Sequence, residues 1–213
     1  MSEPMGPLVR GIGRRRRAPA VLLIVVLAVL GVVTWTIVLM TSSNTSMGVS
    51  CNQPANGPAP GEVVAADELA ETAPVAAGAV KIRALNAGGQ RGRANLVATQ
   101  LGDLGFTEAA PAANDPVYPD ADLDCRGQIR FGPAGAGAAR TLSIVLPCTE
   151  LIRDTRGDDT IDLAVGNAFG EVNPTKPARD LLDQLAGTTD GAPAGTQADP
   201  DLLARASLAK STC

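Results

Sequence analysis

VKIRALNAGGQRGRANLVATQLGDLGF, residues 80–106, is the stretch that decides the fold. In residues 80–87, Val80, Ile82, Ala84 and Asn86 fall on one face, and Lys81, Arg83, Leu85 and Ala87 on the other. That period of two is a strand. Gly88, Gly89 and Gly92 then break the pattern. Beyond them Ala94, Val97, Ala98, Leu101 and Leu104 recur at helical spacing, an apolar stripe suited to packing on a sheet, and Gly105 fits a helix stop. A strand, a Gly-rich turn and a helix open a β-α-β unit, whose second strand must run parallel to the first by a right-handed connection.

The turn resembles a dinucleotide fingerprint in spacing, with Ala87, Gly89 and Gly92 where G-x-G-x-x-G is required. A pyrophosphate site also needs an acid about 20 residues on for the ribose. The nearest later acids are Asp103, inside the helix, and Glu108. No nucleotide is expected. Gly88 and Gly89 are expected to carry the turn through positive φ, and Gly92 to let helix and sheet approach.

The pattern repeats downstream. Residues 106–112 are a weak strand, and 112–124 (AANDPVYPDADLD) a long acidic loop. Residues 125–132 alternate as a strand. Residues 135–147 are a helix with Ala138, Leu142 and Val145 inward, ended by Pro147. Residues 149–155 and 160–165 read as strands joined by the turn RGDD, hence an antiparallel hairpin. The fold class expected is α/β (α+β): a mixed sheet of about five strands in the order β-α-β-β-α-β-β, with helices mainly on one face. A further helix spans 177–186, with Pro177 at its start and Gly187 at its cap. A short helical tail covers 202–210.

Residues 18–40 hold 23 residues without a charge, enough to span a ~30 Å hydrocarbon core as a helix. A signal peptide's apolar core is shorter, at about 7–15 residues. Arg10 and Arg14 to Arg17 precede the run, and no basic residue follows it until Lys81. The positive-inside rule then puts residues 1–17 in the cytoplasm and the rest outside a plasma membrane. Residues 41–79 are rich in Ser, Pro, Gly and Ala and read as a linker, with a short helix at 65–72. The exterior domain is 80–186, and 187–213 is a second linker and the tail.

After the span the chain carries 13 basic and 21 acidic residues, a net of −8. That argues against nucleic acid as a partner. Cys51, Cys125, Cys148 and Cys213 all follow the span. An even number in an oxidising compartment suggests two disulfides, with three possible pairings. Cys125 and Cys148 begin strands on either side of a crossover, which favours pairing them and leaves Cys51 with Cys213. The sequence has no His and no C-x-x-C spacing, so neither a zinc site nor a cofactor is expected.

Residues 80–106, then GQIRFGPAGAGAARTLSIVLP (127–147), then DDTIDLAVGNAF (158–169) together resemble the LytR C-terminal domain family. The matching positions are Asn86, Gly92, Ala94, Leu101, Gly105, Phe106, Gly132, Pro133, Ala138, Ala139, Leu142, Gly166 and Phe169. The family turn often reads N-G-T/S-G where this chain has Asn86-Ala87-Gly88-Gly89, so no functional residue carries over through it. The resemblance implies a role in cell-envelope maintenance with no known catalytic site. In larger relatives this domain follows a LytR-CpsA-Psr phosphotransferase domain, and no segment before Val80 is long enough to hold one.

On their own merits the residues offer little catalysis. Without His there is no Ser-His-Asp triad and no Cys-His dyad. Asp158 and Asp159 read as turn formers. Asp120, Asp122 and Asp124 form D-x-D-x-D, but Cys125 and Phe131 stand where a Ca²⁺ loop needs Gly and Glu. A solvated acidic loop is expected there over a loose site with Asp115. Tyr118 is the one exterior aromatic available to stack on a sugar, since Phe106, Phe131 and Phe169 read as core. Ala138, Leu142 and Val145 mark a candidate apolar groove for a lipid chain, with tight packing as the competing reading. The expected function is a non-enzymatic, membrane-anchored envelope protein that binds a wall polymer, lipid or protein partner. A scaffold docking other membrane proteins is the alternative, and an unorthodox hydrolase or transferase a minor one.

Overall fold

The computed structural model describes residues 50–187 and 197–208, together with 23–24, 26–32 and 34. The chain divides into two compact units, Met1–Thr45 and Ser46–Cys213. In the first, the described residues are helical and their apolar side chains exposed. Among the described residues no helix is long and apolar enough to cross a membrane. Most of the expected span lies outside them.

The second unit is a mixed α/β domain. Its strands are β1 (Glu62–Val64), β2 (Lys81–Asn86), β3 (Thr107–Glu108), β4 (Ala113–Asn114), β5 (Gly127–Phe131), β6 (Glu150–Arg153) and β7 (Thr160–Val165). Its helices are α1 (Arg93–Asp103), α2 (Ala136–Val145), α3 (Lys176–Leu185) and α4 (Pro200–Ser207). One seven-stranded sheet runs in the order β1-β6-β5-β7-β2-β3, with β4 pairing β2 beyond β3. β2 is parallel to β3, β4 and β7, and β5 is parallel to β6. β5 is antiparallel to β7, and β1 to β6.

The expected hairpin of residues 149–155 and 160–165 does not form, because β5 lies between β6 and β7. The α2 crossover sets β6 beside β5, and the following segment passes over the end of β5. There Asp154 N donates to Phe131 O at 2.9 Å. A Cβ on Gly132 would collide with the Arg156 carbonyl, so glycine is what allows the crossing. The expected linker is corrected too. From residue 50 the chain joins the domain, supplies β1, and buries Val64, Leu69 and Ala77. Residues 65–72 form turns rather than a helix.

The helices cover one face of the sheet. Ile82, Ile129, Phe131, Ile161, Leu163 and Val165 meet Val97, Leu101, Ala139, Leu142 and Phe169 in a single core. Phe106 belongs to it as well. Helix α2 is buried all round, with eight of its ten residues inaccessible. Its outer side is closed by residues 73–75, where Thr141 Oγ1 bonds both N and O of Val75. Ile144 there packs with Leu181 and Leu185 of α3 and Ala206 of α4. Ala138, Leu142 and Val145 are therefore 7%, 0% and 1% exposed, packed in the core rather than lining an apolar groove.

The other face is polar and covered by loop. Register sets Arg130, Asp162 and Arg83 side by side on β5, β7 and β2, and Gln128 beside Glu150. The acidic loop is not free in solvent: its Asp115, Tyr118 and Leu123 lie on this face, each at most 1% exposed. Residues 51–57 lie along the loop as a strap. Asn52 Nδ2 donates to Asp122 O at 2.9 Å, and its Oδ1 accepts from Asp124 N at 2.8 Å. Asn56 Nδ2 donates to Asp120 Oδ2 at 2.8 Å. A disulfide joins Cys51 to Cys125 with Cα atoms 5.0 Å apart. This corrects both expected pairings, Cys125–Cys148 and Cys51–Cys213. Cys125 packs on the loop face beside Tyr118 and Ala164, toward the strap. Cys148 follows α2 and is itself disulfide-bonded, and Cys213 lies outside the described residues.

Candidate functional site

The opening turn keeps its glycines but exchanges their expected roles. Gly92, at φ 77°, is the N-cap of α1 and carries the left-handed conformation. Gly88 is the close approach: a Cβ there would fall 2.9 Å from Asn167 N. Gly89 N donates to Asn167 Oδ1 at 2.8 Å, and Arg93 Nη1 donates to the carbonyls of Asn167 and Phe169. The turn is thus tied to the segment after β7, at the carboxyl ends of two parallel strands. In open α/β sheets this is the end at which ligands bind.

On the other side of the turn a cleft of about 540 Å³ opens between the first turn of α1 and β4. That is the size range of small-molecule sites. Its polar lining is Asn86, Arg91, Asn95 and Asn114, and small residues, Gly92, Ala94, Ala112 and Ala113, leave room between them. Three amides and a guanidinium line it, with no carboxylate, in a chain of net charge −4. Asn86 Oδ1 is buried and has no hydrogen-bond partner. An unpaired buried acceptor costs free energy, so its retention calls for an explanation. Beside α1 a second, apolar depression along Ile82, Ala98, Leu101 and Phe106 holds about 10 Å³, too little for a lipid chain.

The polar sheet face is structural by its geometry. Arg130 grips Asp115 with two bonds, 3.0 and 2.8 Å, and also holds Gln128 Oε1. Its guanidinium lies 5.6 Å from the centre of the Tyr118 ring. Tyr118 donates to Asn52 O at 2.7 Å, and burial pushes its phenol pKa up. It is 1% exposed and so offers no platform for a sugar. Asp115 is committed to Arg130 and cannot join Asp120, Asp122 and Asp124 in a Ca²⁺ site. Among the described residues no three acids or cysteines are placed to hold a metal. Asp158 accepts from Thr160 N at 3.0 Å as a turn former, and Asp159 pairs with Lys81 at 3.0 Å in solvent.

Asp162 is the titrating centre of this face. Burial alone would raise its pKa. Two hydrogen bonds from Arg83, at 2.7 Å each, and one from Arg156 at 2.8 Å outweigh that and hold it below the usual carboxylate range. A folded pKa below the unfolded one, about 3.9, gives stability that is complete above that value. It is lost as pH falls through the folded pKa. Urea midpoints should therefore be flat down to about pH 5 and drop below about pH 4. In Asp162→Asn the neutral-pH midpoint should fall and this share of the acid-dependent drop should vanish. An unchanged acid limb would remove Asp162 from the account.

Asn86 was visible in the sequence as a strand-ending Asn, without a role. Arg91, Asn95 and Asn114 carry no sequence signal that sets them apart. Nothing in the two residues of β4 signals that Asn114 meets Asn86, which follows only from the pairing of β4 with β2.

Residues 79–169 match the LytR_C model, described as LytR cell envelope-related transcriptional attenuator. The chain is 40% identical over 198 residues to the cell envelope integrity protein Cei of Mycobacterium tuberculosis, covering 90% of this chain and 88% of that one. It is similar to the crystal structure of the soluble domain of a conserved hypothetical secreted protein from Mycobacterium marinum. That match has 42% identity and a TM-score of 0.62, covering 72% of this chain and 97% of that one. The β2 turn, the α2 crossover and β7 with the segment after it to Phe169 all fall within the matched segment. The chain belongs to the LytR_C family of envelope proteins that includes Cei.

Proposed function

We propose that this protein maintains the cell envelope by binding, without turnover, and that the cleft at the end of β2 is where it binds. The single observation that carries this is the cleft's composition. Polar groups converge in a cleft of ligand size at the carboxyl end of a strand, and one buried acceptor there lacks a partner. No nucleophile or titrating base lines it, so recognition is the chemistry its residues offer. Family membership supports the envelope setting. The uncharged run of residues 18–40, with Arg before it, supports a single-pass anchor that places this domain outside the plasma membrane.

A strain lacking the protein should take up ethidium faster, and the full chain supplied in trans should restore the barrier. Arg91→Glu, an exposed change, should fold and reach the membrane yet leave the envelope leaky. Full restoration by that variant would remove the cleft from the function. A folded variant of an exposed carboxylate outside the cleft that failed to restore would point to chemistry instead of binding.

A further inference from the structure

We infer that the cleft takes an anionic saccharide: a sugar ring with free hydroxyls that also bears a phosphate or carboxylate. The inference rests on the binding reading above and names its ligand class. Each Asn amide offers two donors and a carbonyl acceptor, the combination that adjacent hydroxyls of a sugar need, since each hydroxyl both gives and accepts. Asn95 and Asn114 stand exposed on opposite walls, one on α1 and one on β4, with Asn86 beneath them at the end of β2. Asn86 also lines the cleft, and its amide adds a third polar group beside them. Ala112 and Ala113 on the β4 side, and Gly92 and Ala94 on the α1 side, let a ring sit close to the backbone.

Charge selects the second half of the ligand. Arg91 is the one charged residue of the lining, and its guanidinium forms paired bonds with phosphate or carboxylate oxygens. Arg93, two residues on, does not compete for this role. Its guanidinium is occupied by the Asn167 and Phe169 carbonyls and by Gln90 Oε1. A cationic sugar has no carboxylate to meet in the lining, and an uncharged one leaves Arg91 unused. The cleft also has no exposed aromatic ring, so hydrogen bonds and the ion pair must supply the affinity that stacking gives elsewhere.

The test is a titration of the labelled full chain in detergent micelles, following the side-chain amide signals of Asn86, Asn95 and Asn114. Four probes are compared at low ionic strength: glucose 1-phosphate, glucuronate, glucose and inorganic phosphate. At least one of the two anionic sugars should shift all three amides, binding at least about tenfold tighter than glucose or inorganic phosphate. Which one binds tighter identifies phosphate or carboxylate as the anion. Arg91→Glu should abolish the preference for charge. Asn86→Leu should weaken binding while melting no lower than the parent, because it removes the unpaired acceptor from the free protein. Equal shifts with inorganic phosphate alone, or with glucose alone, would overturn the assignment, and so would no shift with any probe. If no anionic sugar binds while Arg91→Glu still fails to restore the barrier, the ligand class is wrong and the cleft remains the binding site. If Arg91→Glu restores the barrier, the binding reading itself falls.

Discussion

Asp115→Ala should lower the unfolding free energy by about 3–5 kcal/mol, the usual cost of removing one partner of a buried ion pair. Arg130 is 2% exposed and Asp115 1%. Without the carboxylate, the guanidinium keeps two bonds to Gln128 Oε1 and the face of Tyr118. Its charge is then uncompensated in a place water does not reach. Val117 N also loses its acceptor, Asp115 Oδ1 at 2.9 Å. Total stability for a domain of this kind is about 5–15 kcal/mol, so the variant should be near its unfolding threshold. Replacing both partners with apolar residues of similar volume should cost much less, because no orphan charge remains. Urea unfolding of the single and double variants checks this. A loss under about 1 kcal/mol in Asp115→Ala would mean that Arg130 finds water or another partner.

The joint change Cys51→Ser and Cys125→Ser should cost about 4 kcal/mol on the chain-entropy account, because the bond closes a loop with a sequence separation of 74. The strap that it pins has no helix or strand of its own and is otherwise held by hydrogen bonds, among them those of Cys51 N to Glu150, of Asn52, Ala55 and Asn56 to the acidic loop, and of Tyr118 to Asn52. Proteolysis should therefore shift into residues 51–60 before the core melts. Substitution is the cleaner probe, since a reductant would also open the disulfide at Cys148. Peptide mapping without reduction should recover Cys51 with Cys125, and Cys148 in a separate linked peptide. Recovery of Cys125 linked to Cys148 would contradict the fold of the loop face.

The elements that the sequence made legible are those with a long regular period. Residues 80–87 alternate because one face of β2 meets helices and the other meets loop, and the stripe on α1 is apolar because it lies on that sheet. The second crossover and α3 were equally readable, the latter through Pro177 and the Gly187 cap. Strand order was not. The turn RGDD has the composition of a hairpin, yet it spans a strand, and only Gly132 beneath it hints at the crossing. β1 is three residues that become a strand by pairing with β6, so composition alone read them as linker. The polar sheet face was hidden for a different reason: Arg130 and Asp162 look like outward residues of half-exposed strands until a loop covers them. The cleft was the least legible part. Asn86 and Asn114, 28 residues apart in sequence, meet there only through a strand of two residues.

The most direct measurement fills the cleft without removing any of its polar groups. Ala112, partly exposed and just before β4, lines the opening two residues from Asn114. Ala112→Trp should occupy that space, fold and melt close to the parent protein. Supplied to a strain lacking the protein, it should leave ethidium uptake as high as in the empty strain. Uptake restored to the level given by the parent chain, with the Trp variant present in normal amount, would contradict the claim that this cleft is where the protein works.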